Sequence, residues 1–200
     1  MIKIGITGGI GSGKTTFCKE WEKLGVHVVY ADDFAKQLMN ENEELREKIT
    51  KVFGKASYDS EGNLNRAYLA EEAFAKDRVE ELNALVHPVL KERLKEYAHQ
   101  KEQEGVDVLA YEAAILLNEG RPGWLDFVII VTAEEEQRLK RTAERDRASI
   151  GKIQDRIDKQ PDFEELLSLA DFVIENSGTL QELQEKAEKS LRTIQDISGK

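Results

Sequence analysis

The chain has 200 residues, 39 acidic and 29 basic, so its formal net charge at neutral pH is −10. This length suits one α/β domain with insertions and is short for two independent domains. The negative charge disfavours binding to nucleic acid or to an anionic membrane. The single cysteine, Cys18, cannot form an internal disulfide, and no apolar run reaches membrane-spanning length. We expect a cytoplasmic protein, monomeric or weakly homo-oligomeric, whose partners are small molecules.

Residues 8–15, Gly-Gly-Ile-Gly-Ser-Gly-Lys-Thr, match the phosphate-loop pattern G-x-x-x-x-G-K-[ST]. Glycines let successive backbone N–H groups line a concavity that holds an anion, and the following helix directs its positive end there. A buried strand with isoleucine at every second position precedes this phosphate loop, and an amphipathic helix follows it as far as Gly25. This context predicts binding of a nucleoside triphosphate.

Two side chains of the phosphate loop have the chemistry that such a ligand requires. Lys14 supplies a mobile positive charge for the outer phosphates, and Thr15 places a hydroxyl where a magnesium ion that bridges phosphate oxygens needs a ligand. The predicted nucleotide-binding residues of this segment are Gly9, Gly11, Ser12, Gly13, Lys14, Thr15 and Thr16.

A second strand is predicted at residues 26–30, and Asp32 and Asp33 follow it. Ligands of open parallel sheets bind beyond the carboxyl ends of the strands, so these acids are candidates for the site. The alternative is that an aspartate caps a helix over residues 34–39, and this alternative is stronger for Asp33 than for Asp32.

Residues 41–104 are predicted to be helical in several pieces, with a helix boundary at His87-Pro88 because proline suits the first position of a helix. Further strands are predicted at 106–113, 127–131 and 170–174, and a closing helix follows. Strands separated by helices imply parallel pairing. The predicted fold is therefore α/β: a doubly wound, mostly five-stranded parallel sheet of P-loop NTPase type. Its predicted parts are a core (1–58, 104–137 and 165–200), a helical insertion (59–103) and an Arg-rich lid (138–164).

Three arginines of the lid, Arg138, Arg141 and Arg145, fall at helical spacing in an otherwise acidic chain. We interpret the segment as mobile and able to bring guanidinium groups onto transferring phosphates, because planar arginine forks match phosphate oxygens. The alternative is a solvated helix face with paired charges.

Together these features predict a kinase for a small molecule. Phosphoryl transfer requires positioning, charge stabilisation and a base for the acceptor hydroxyl. Asp32 is the predicted base, and Lys14, Arg141 and magnesium would balance charge on the transferring group. Arg145 is a second candidate from the lid.

The motifs also resemble those of the dephospho-CoA kinase family. The segments that carry the resemblance are Thr7–Lys14, Ala31-Asp32 with Ala35-Lys36-Gln37, Leu64-Asn65-Arg66, Leu82–Pro88, Arg141-Thr142 with Arg145-Asp146, and Ala170–Gly178. The resemblance implies ATP- and magnesium-dependent phosphorylation of the ribose 3′-hydroxyl of dephospho-coenzyme A, the last step of coenzyme A biosynthesis.

The resemblance also implies roles for particular residues. Asp32 corresponds to the family's catalytic aspartate, Arg141 to its lid arginine and Asn176 to the residue beside the ATP adenine. The resemblance also implies that the helical insertion (59–103) binds the acceptor. The residues predicted to bind the acceptor are Thr7, Asp32, Asn65, Arg66 and His87, of which His87 is a helix-junction residue and not a catalyst. The family resemblance points to Arg141 as the functional lid arginine, and we expect Arg138 to be the least involved of the three.

The sequence departs from the family pattern at three places. Tyr30 stands where many members have Asp. After the third strand, members often carry a Pro-Leu-Leu run followed by Glu, whereas this chain has Glu112-Ala113-Ala114-Ile115-Leu116-Leu117-Asn118. Pro161-Asp162-Phe163 follows Gln160 where members often continue through Ala to Arg. The acceptor contacts after the third strand and the distal half of the lid are therefore expected to differ from the family.

Two other functions share some of these sequence features. A nucleoside kinase or another small-metabolite kinase would share the loop, the base and the lid. A GTP-dependent switch would use Asp59-Ser60-Glu61-Gly62 as its Asp-x-x-Gly element, but this element is predicted within the helical insertion and the chain has no Asn-Lys-x-Asp guanine-binding motif.

Overall fold

The computed structural model describes residues 1–199, apart from the Phe74 side chain. Five parallel strands form one sheet in the order β2-β3-β1-β4-β5. The strands are β1 (Ile2–Thr7), β2 (His27–Tyr30), β3 (Val108–Glu112), β4 (Phe127–Thr132) and β5 (Phe172–Glu175). The predicted five-stranded parallel α/β fold is confirmed. β1 lies at the centre of the sheet, so the phosphate loop begins at its middle strand.

The helices fall into two groups along the chain. Those outside residues 31–104 are α1 (Lys14–Lys23), α6 (Glu135–Asp146), α7 (Ile150–Ile157), α8 (Phe163–Leu166) and α9 (Leu180–Ile197). Those within residues 31–104 are α2 (Ala31–Glu41), α3 (Glu43–Phe53), α4 (Arg66–Ala70) and α5 (Val79–Gln103). Short helical turns lie at Lys55–Ser57 (3-10), Glu71–Ala75 (π) and Leu167–Leu169 (3-10). Among the described residues, no helix is both long enough and apolar enough to cross a membrane.

Helix α1 is fixed by packing against α9 and the sheet. Phe17 and Trp21 are completely buried, with ring centroids 5.1 Å apart, and the Trp21 indole donates a hydrogen bond to the Ala187 carbonyl oxygen at 3.0 Å. Burial of each such side chain contributes roughly 1.5–3 kcal/mol. The packing therefore holds the end of α1 that follows the phosphate loop.

The chain divides into two compact units. The core unit comprises Met1–Tyr30 and the chain from Gly105 onward, and the helical unit is Ala31–Glu104. The helical unit thus begins well before the predicted insertion at 59–103. The reason is that the buried side chains of α2 and α3 share one cluster with α4 and α5, formed by Leu38, Leu45, Ile49, Phe53, Leu69 and Val86.

Two predicted helix boundaries are wrong. Helix α2 begins at Ala31, directly after β2, so Asp32 and Asp33 lie in its first turn, where acidic side chains interact favourably with the helix dipole. Helix α5 continues through Pro88 without a new start. Proline leaves the Ala84 carbonyl without its helical donor, but Ala84 and Pro88 are both exposed, so water can satisfy that oxygen.

Candidate active site

The phosphate loop joins β1 to α1, and its last glycine has no room for a side chain. Gly13 is the N-cap of α1 with a φ of 92°, a left-handed conformation that favours glycine. A Cβ atom at this position would also overlap the Asn176 side-chain nitrogen. That nitrogen donates a hydrogen bond of 2.8 Å to the Ser12 carbonyl oxygen. Asn176, which follows the carboxyl end of β5, therefore holds the end of the loop nearest α1.

Lys14 folds back over the beginning of the loop. Its ammonium donates to the Gly8 carbonyl oxygen at 2.7 Å and lies 3.3 Å from the Gly9 carbonyl oxygen. Thr15 and Thr16, in the first turn of α1, are exposed. The cation and the exposed hydroxyls are thus presented at the positive end of the helix, as phosphate binding requires.

Two other predicted residues at this sheet edge are buried. Thr7, at the end of β1, is fully buried, and its hydroxyl donates to the Ala114 carbonyl oxygen at 3.3 Å. Ser12 is fully buried too, and its hydroxyl has no hydrogen-bond partner among the described residues. Thr7 therefore braces the segment after β3, while Ser12 contributes to the loop through its backbone.

Arg141 is linked to the phosphate loop through Asn176. One terminal nitrogen donates to the Asn176 carbonyl oxygen at 2.8 Å, and the other donates to the Gln137 side-chain oxygen at 3.1 Å. Because Asn176 in turn bonds to Ser12, the three residues form a continuous polar chain from the lid to the loop.

Arg138 contacts the phosphate loop directly, which the sequence did not indicate. Its Nε donates to the Ile10 carbonyl oxygen at 2.9 Å, and burial lowers the pKa of its guanidinium. One turn later, buried Thr142 donates to the Arg138 carbonyl oxygen at 2.7 Å. A Cβ at Gly11 would overlap both groups, so the first turns of α6 lie against the loop. The four-residue spacing of Arg138 and the small Thr142 was the only sequence signal of this contact.

Gln160 is a second lid residue that contacts the phosphate loop. Its side-chain oxygen accepts the Ile10 backbone N–H at 2.7 Å. Ile10 is therefore held at both backbone polar groups by the lid, by Arg138 at the carbonyl and by Gln160 at the N–H. In the sequence, Gln160 stands directly before Pro161-Asp162-Phe163, where the chain departs from the family pattern. That departure drew attention to the residues after Gln160 and not to Gln160 itself.

Arg145 has different partners from Arg138 and Arg141. Its Nε bonds to one Asp146 carboxylate oxygen at 2.7 Å, and Arg156 bonds to the other at 2.6 Å. These hydrogen bonds lower the pKa of Asp146 to about 2. No hydrogen bond joins Arg145 to the phosphate loop in the described part of the chain. The three predicted arginines therefore do not form one functional face.

The remaining candidates belong to the helical unit. Asp32 is exposed, whereas Asp33 forms an ion pair with Lys36 at 2.8 Å. Asn65 caps α4, since its side-chain oxygen accepts the Tyr68 N–H at 3.2 Å. Arg66 and His87 are exposed, and His87 lies inside α5 instead of at a junction.

Asp59, the acid of the alternative Asp-x-x-Gly element, closes its own turn. Its carboxylate accepts the backbone N–H groups of Glu61 at 2.9 Å and Asn63 at 2.8 Å. The Asn63 bond is the main reason why the pKa of Asp59 is lowered. The turn lies between helices and not at a strand end, so this site does not support a GTP-dependent switch.

The Cys18 thiol and the Tyr30 hydroxyl are two buried titratable groups of the core unit. Burial raises the pKa of the Cys18 thiol, which keeps it protonated, and burial likewise raises the pKa of Tyr30. Tyr30 pairs in register with Glu112 at the carboxyl ends of β2 and β3. At the position where many family members carry an acid, this chain therefore has a neutral side chain.

Comparison with known proteins identifies the family. The Dephospho-CoA kinase family model matches residues 2–182. A dephospho-CoA kinase from Salinibacter ruber is 43% identical over 188 residues, which cover 94% of each chain. The structure of dephospho-CoA kinase from Campylobacter jejuni has a TM-score of 0.66 at 28% identity and covers 96% of both chains. Shikimate kinase from Acinetobacter baumannii shares the fold, with a TM-score of 0.54 at 16% identity over 100% of this chain and 95% of that one. The chain belongs to the dephospho-CoA kinase family.

Proposed function

We propose that this protein transfers the γ-phosphoryl group of ATP to the ribose 3′-hydroxyl of dephospho-coenzyme A, giving coenzyme A and ADP. The observation that carries the proposal is a phosphate loop at the carboxyl end of the central strand, in a chain that the family model matches over residues 2–182. The reaction would be the last step of coenzyme A biosynthesis. The cytoplasmic location of the protein and its monomeric or weakly oligomeric state are predictions from the sequence.

Lys14 and Arg141 are the proposed residues for charge stabilisation. Lys14 now donates to the Gly8 carbonyl oxygen, and phosphate oxygens would replace this neutral acceptor with a charged one. Arg141 already reaches Asn176 at the other end of the loop. Arg145 would contact the nucleotide only after leaving Asp146, so we assign it a secondary role.

Asp32 is the proposed base for the acceptor hydroxyl. It is the second residue after the end of β2, its carboxylate is exposed, and it makes no described ion pair, unlike its neighbour Asp33. A carboxylate without a fixed partner can accept the hydroxyl proton as the phosphoryl group transfers. Arg66 and His87, both exposed in the helical unit, are proposed acceptor contacts. Thr7 and Asn65 are proposed contacts too, although their side chains already form hydrogen bonds with backbone groups.

The residues of the loop fit a magnesium ion. Thr15 is exposed in the first turn of α1, and its hydroxyl makes no hydrogen bond in the described part of the chain. We propose Thr15 as the protein ligand, with phosphate oxygens as further ligands. Such an ion supplies charge neutralisation between the outer phosphates.

ADP release by the purified protein tests the proposed acceptor. The protein is incubated with magnesium and ATP together with dephospho-coenzyme A, AMP or no acceptor, and the series is repeated with GTP. We expect release that depends on dephospho-coenzyme A and prefers ATP. A preference for AMP would indicate a nucleotide kinase instead, and tight GTP binding with no response to any acceptor would indicate a switch.

A further inference from the structure

Arg138 occupies the space beside Gly9 in the phosphate loop. The three atoms nearest to the position of a Cβ at Gly9 all belong to the Arg138 guanidinium, at 2.5, 2.7 and 3.2 Å. Only its Nε is used in a hydrogen bond, to the Ile10 carbonyl oxygen. The two terminal nitrogens have no hydrogen-bond partner among the described residues.

This guanidinium is partly buried, and the carboxylate of Glu135 acts on it electrostatically without forming an ion pair with it. No carboxylate of the described residues forms an ion pair with Arg138, whereas Arg145 and Arg156 on the same lid both pair with Asp146. A partly desolvated cation without an ion-pair partner is unfavourable by itself. An anion at the phosphate loop would compensate for this cost.

The two ends of the loop can be told apart by their contacts. Asn176 contacts Ser12 and Gly13 at the end nearest α1, while Lys14 and Arg138 both reach Gly9 at the opposite end. The lysine of a phosphate loop contacts the outer phosphates. Arg138 therefore lies at the outer-phosphate end.

We propose that Arg138 is a nucleotide-binding residue that donates its terminal N–H groups to the outermost phosphate of ATP while its Nε stays on the Ile10 carbonyl oxygen. The inference rests on the proposed ATP-dependent reaction and adds a residue to its site. The planar guanidinium allows both contacts at once, which an ammonium group cannot provide.

The test compares the affinity for a non-hydrolysable ATP analogue with the affinity for ADP, by calorimetry on the full chain with magnesium. Arg138→Gln should weaken binding of the triphosphate on the order of tenfold or more, as expected for loss of a hydrogen bond between charged groups, and should weaken ADP binding much less. Arg138→Lys should fall between Arg138→Gln and wild type. Lys140→Gln is the matched control, because Lys140 is exposed on the same helix and makes no described bond; it should bind both nucleotides normally.

A second variant reaches the same contact from the loop side. Gly9→Ala keeps the backbone N–H and needs no left-handed backbone, but its methyl group would displace the guanidinium. Its effect should therefore resemble that of Arg138→Gln, and the two effects should not add in the double variant. Equal losses for ATP analogue and ADP would mean that Arg138 only shapes the loop, and no loss would mean that it binds nothing; either result overturns the proposal. Both results leave turnover of dephospho-coenzyme A by the wild type unaffected, so the proposed function is judged separately.

Discussion

At the phosphate loop, different residues determine the path of the backbone and supply positive charge. Asn176 and Thr142 occupy space that side chains at Gly13 and Gly11 would need, so they help to determine the path of the backbone. Lys14 and Arg138 add positive charge to that path. Substitutions of these two pairs should therefore have different effects, on loop structure in the first case and on binding of charged phosphates in the second.

Asp32→Asn tests the proposed base. Asparagine keeps the size and removes the proton acceptor, so kcat should fall by about two to four orders of magnitude while the Kd for ATP changes little. The measurement is steady-state kinetics with dephospho-coenzyme A, together with equilibrium binding of ATP. Asp33→Asn is a matched control, since Asp33 is occupied by Lys36. A near-normal kcat in Asp32→Asn would reduce the residue to a helix-dipole role.

Arg141→Lys tests whether the lid arginine acts in the transition state. Lysine keeps the charge but cannot bond to Asn176 and Gln137 as the planar fork does. We expect kcat to fall by about tenfold or more, with a smaller change in KM for ATP. If KM for ATP rises and kcat stays normal, Arg141 acts only by positioning Asn176.

At the scale of elements, the order of the helices and strands can be predicted from local sequence patterns. Buried β-branched runs and Gly25 made β1, α1 and β2 predictable. Pro88 suggested a helix start because local preference is strong at proline, yet packing of α5 in the helical unit keeps it continuous. The roles of Arg138 and Gln160 could not be predicted, because both depend on where α6 and the end of the lid meet Ile10, a contact across about 130–150 positions of sequence.

The ion cluster of the lid predicts a pH dependence. The pKa of Asp146 falls from 3.8 to about 2 on folding, so its contribution to stability is complete above its unfolded pKa and is lost as the pH falls through the folded value. Asp146→Asn should lower the free energy of unfolding at neutral pH by a few tenths to about 1 kcal/mol, because the pairs are partly exposed and screened. Urea denaturation of both proteins should show this difference shrinking from about pH 4 towards pH 2.

Asp155→Asn serves as the control for the ion cluster. Asp155 is exposed on the same lid and makes none of the described ion pairs, so its substitution should leave stability unchanged at every pH. A difference between wild type and Asp146→Asn that grows as the pH falls would contradict the proposed role of the carboxylate.

At the scale of the whole molecule, the core unit carries the phosphate loop and the lid, and the helical unit carries Asp32, Arg66 and His87. The sequence predicted both kinds of part because helical and strand periodicities differ clearly along the chain. The division at Tyr30 and Glu104 was not predicted, since it depends on which apolar faces pack together and not on local pattern.

The most direct test of the central claim is analysis of the product formed from dephospho-coenzyme A and ATP with magnesium. Wild type should form coenzyme A, phosphorylated on the ribose 3′-hydroxyl, with one ADP for each molecule of product. Lys14→Ala should fold normally and form almost none, because it lacks the cation that follows the outer phosphates. Absence of coenzyme A with the wild type, or equal turnover by Lys14→Ala at saturating ATP, would contradict the account.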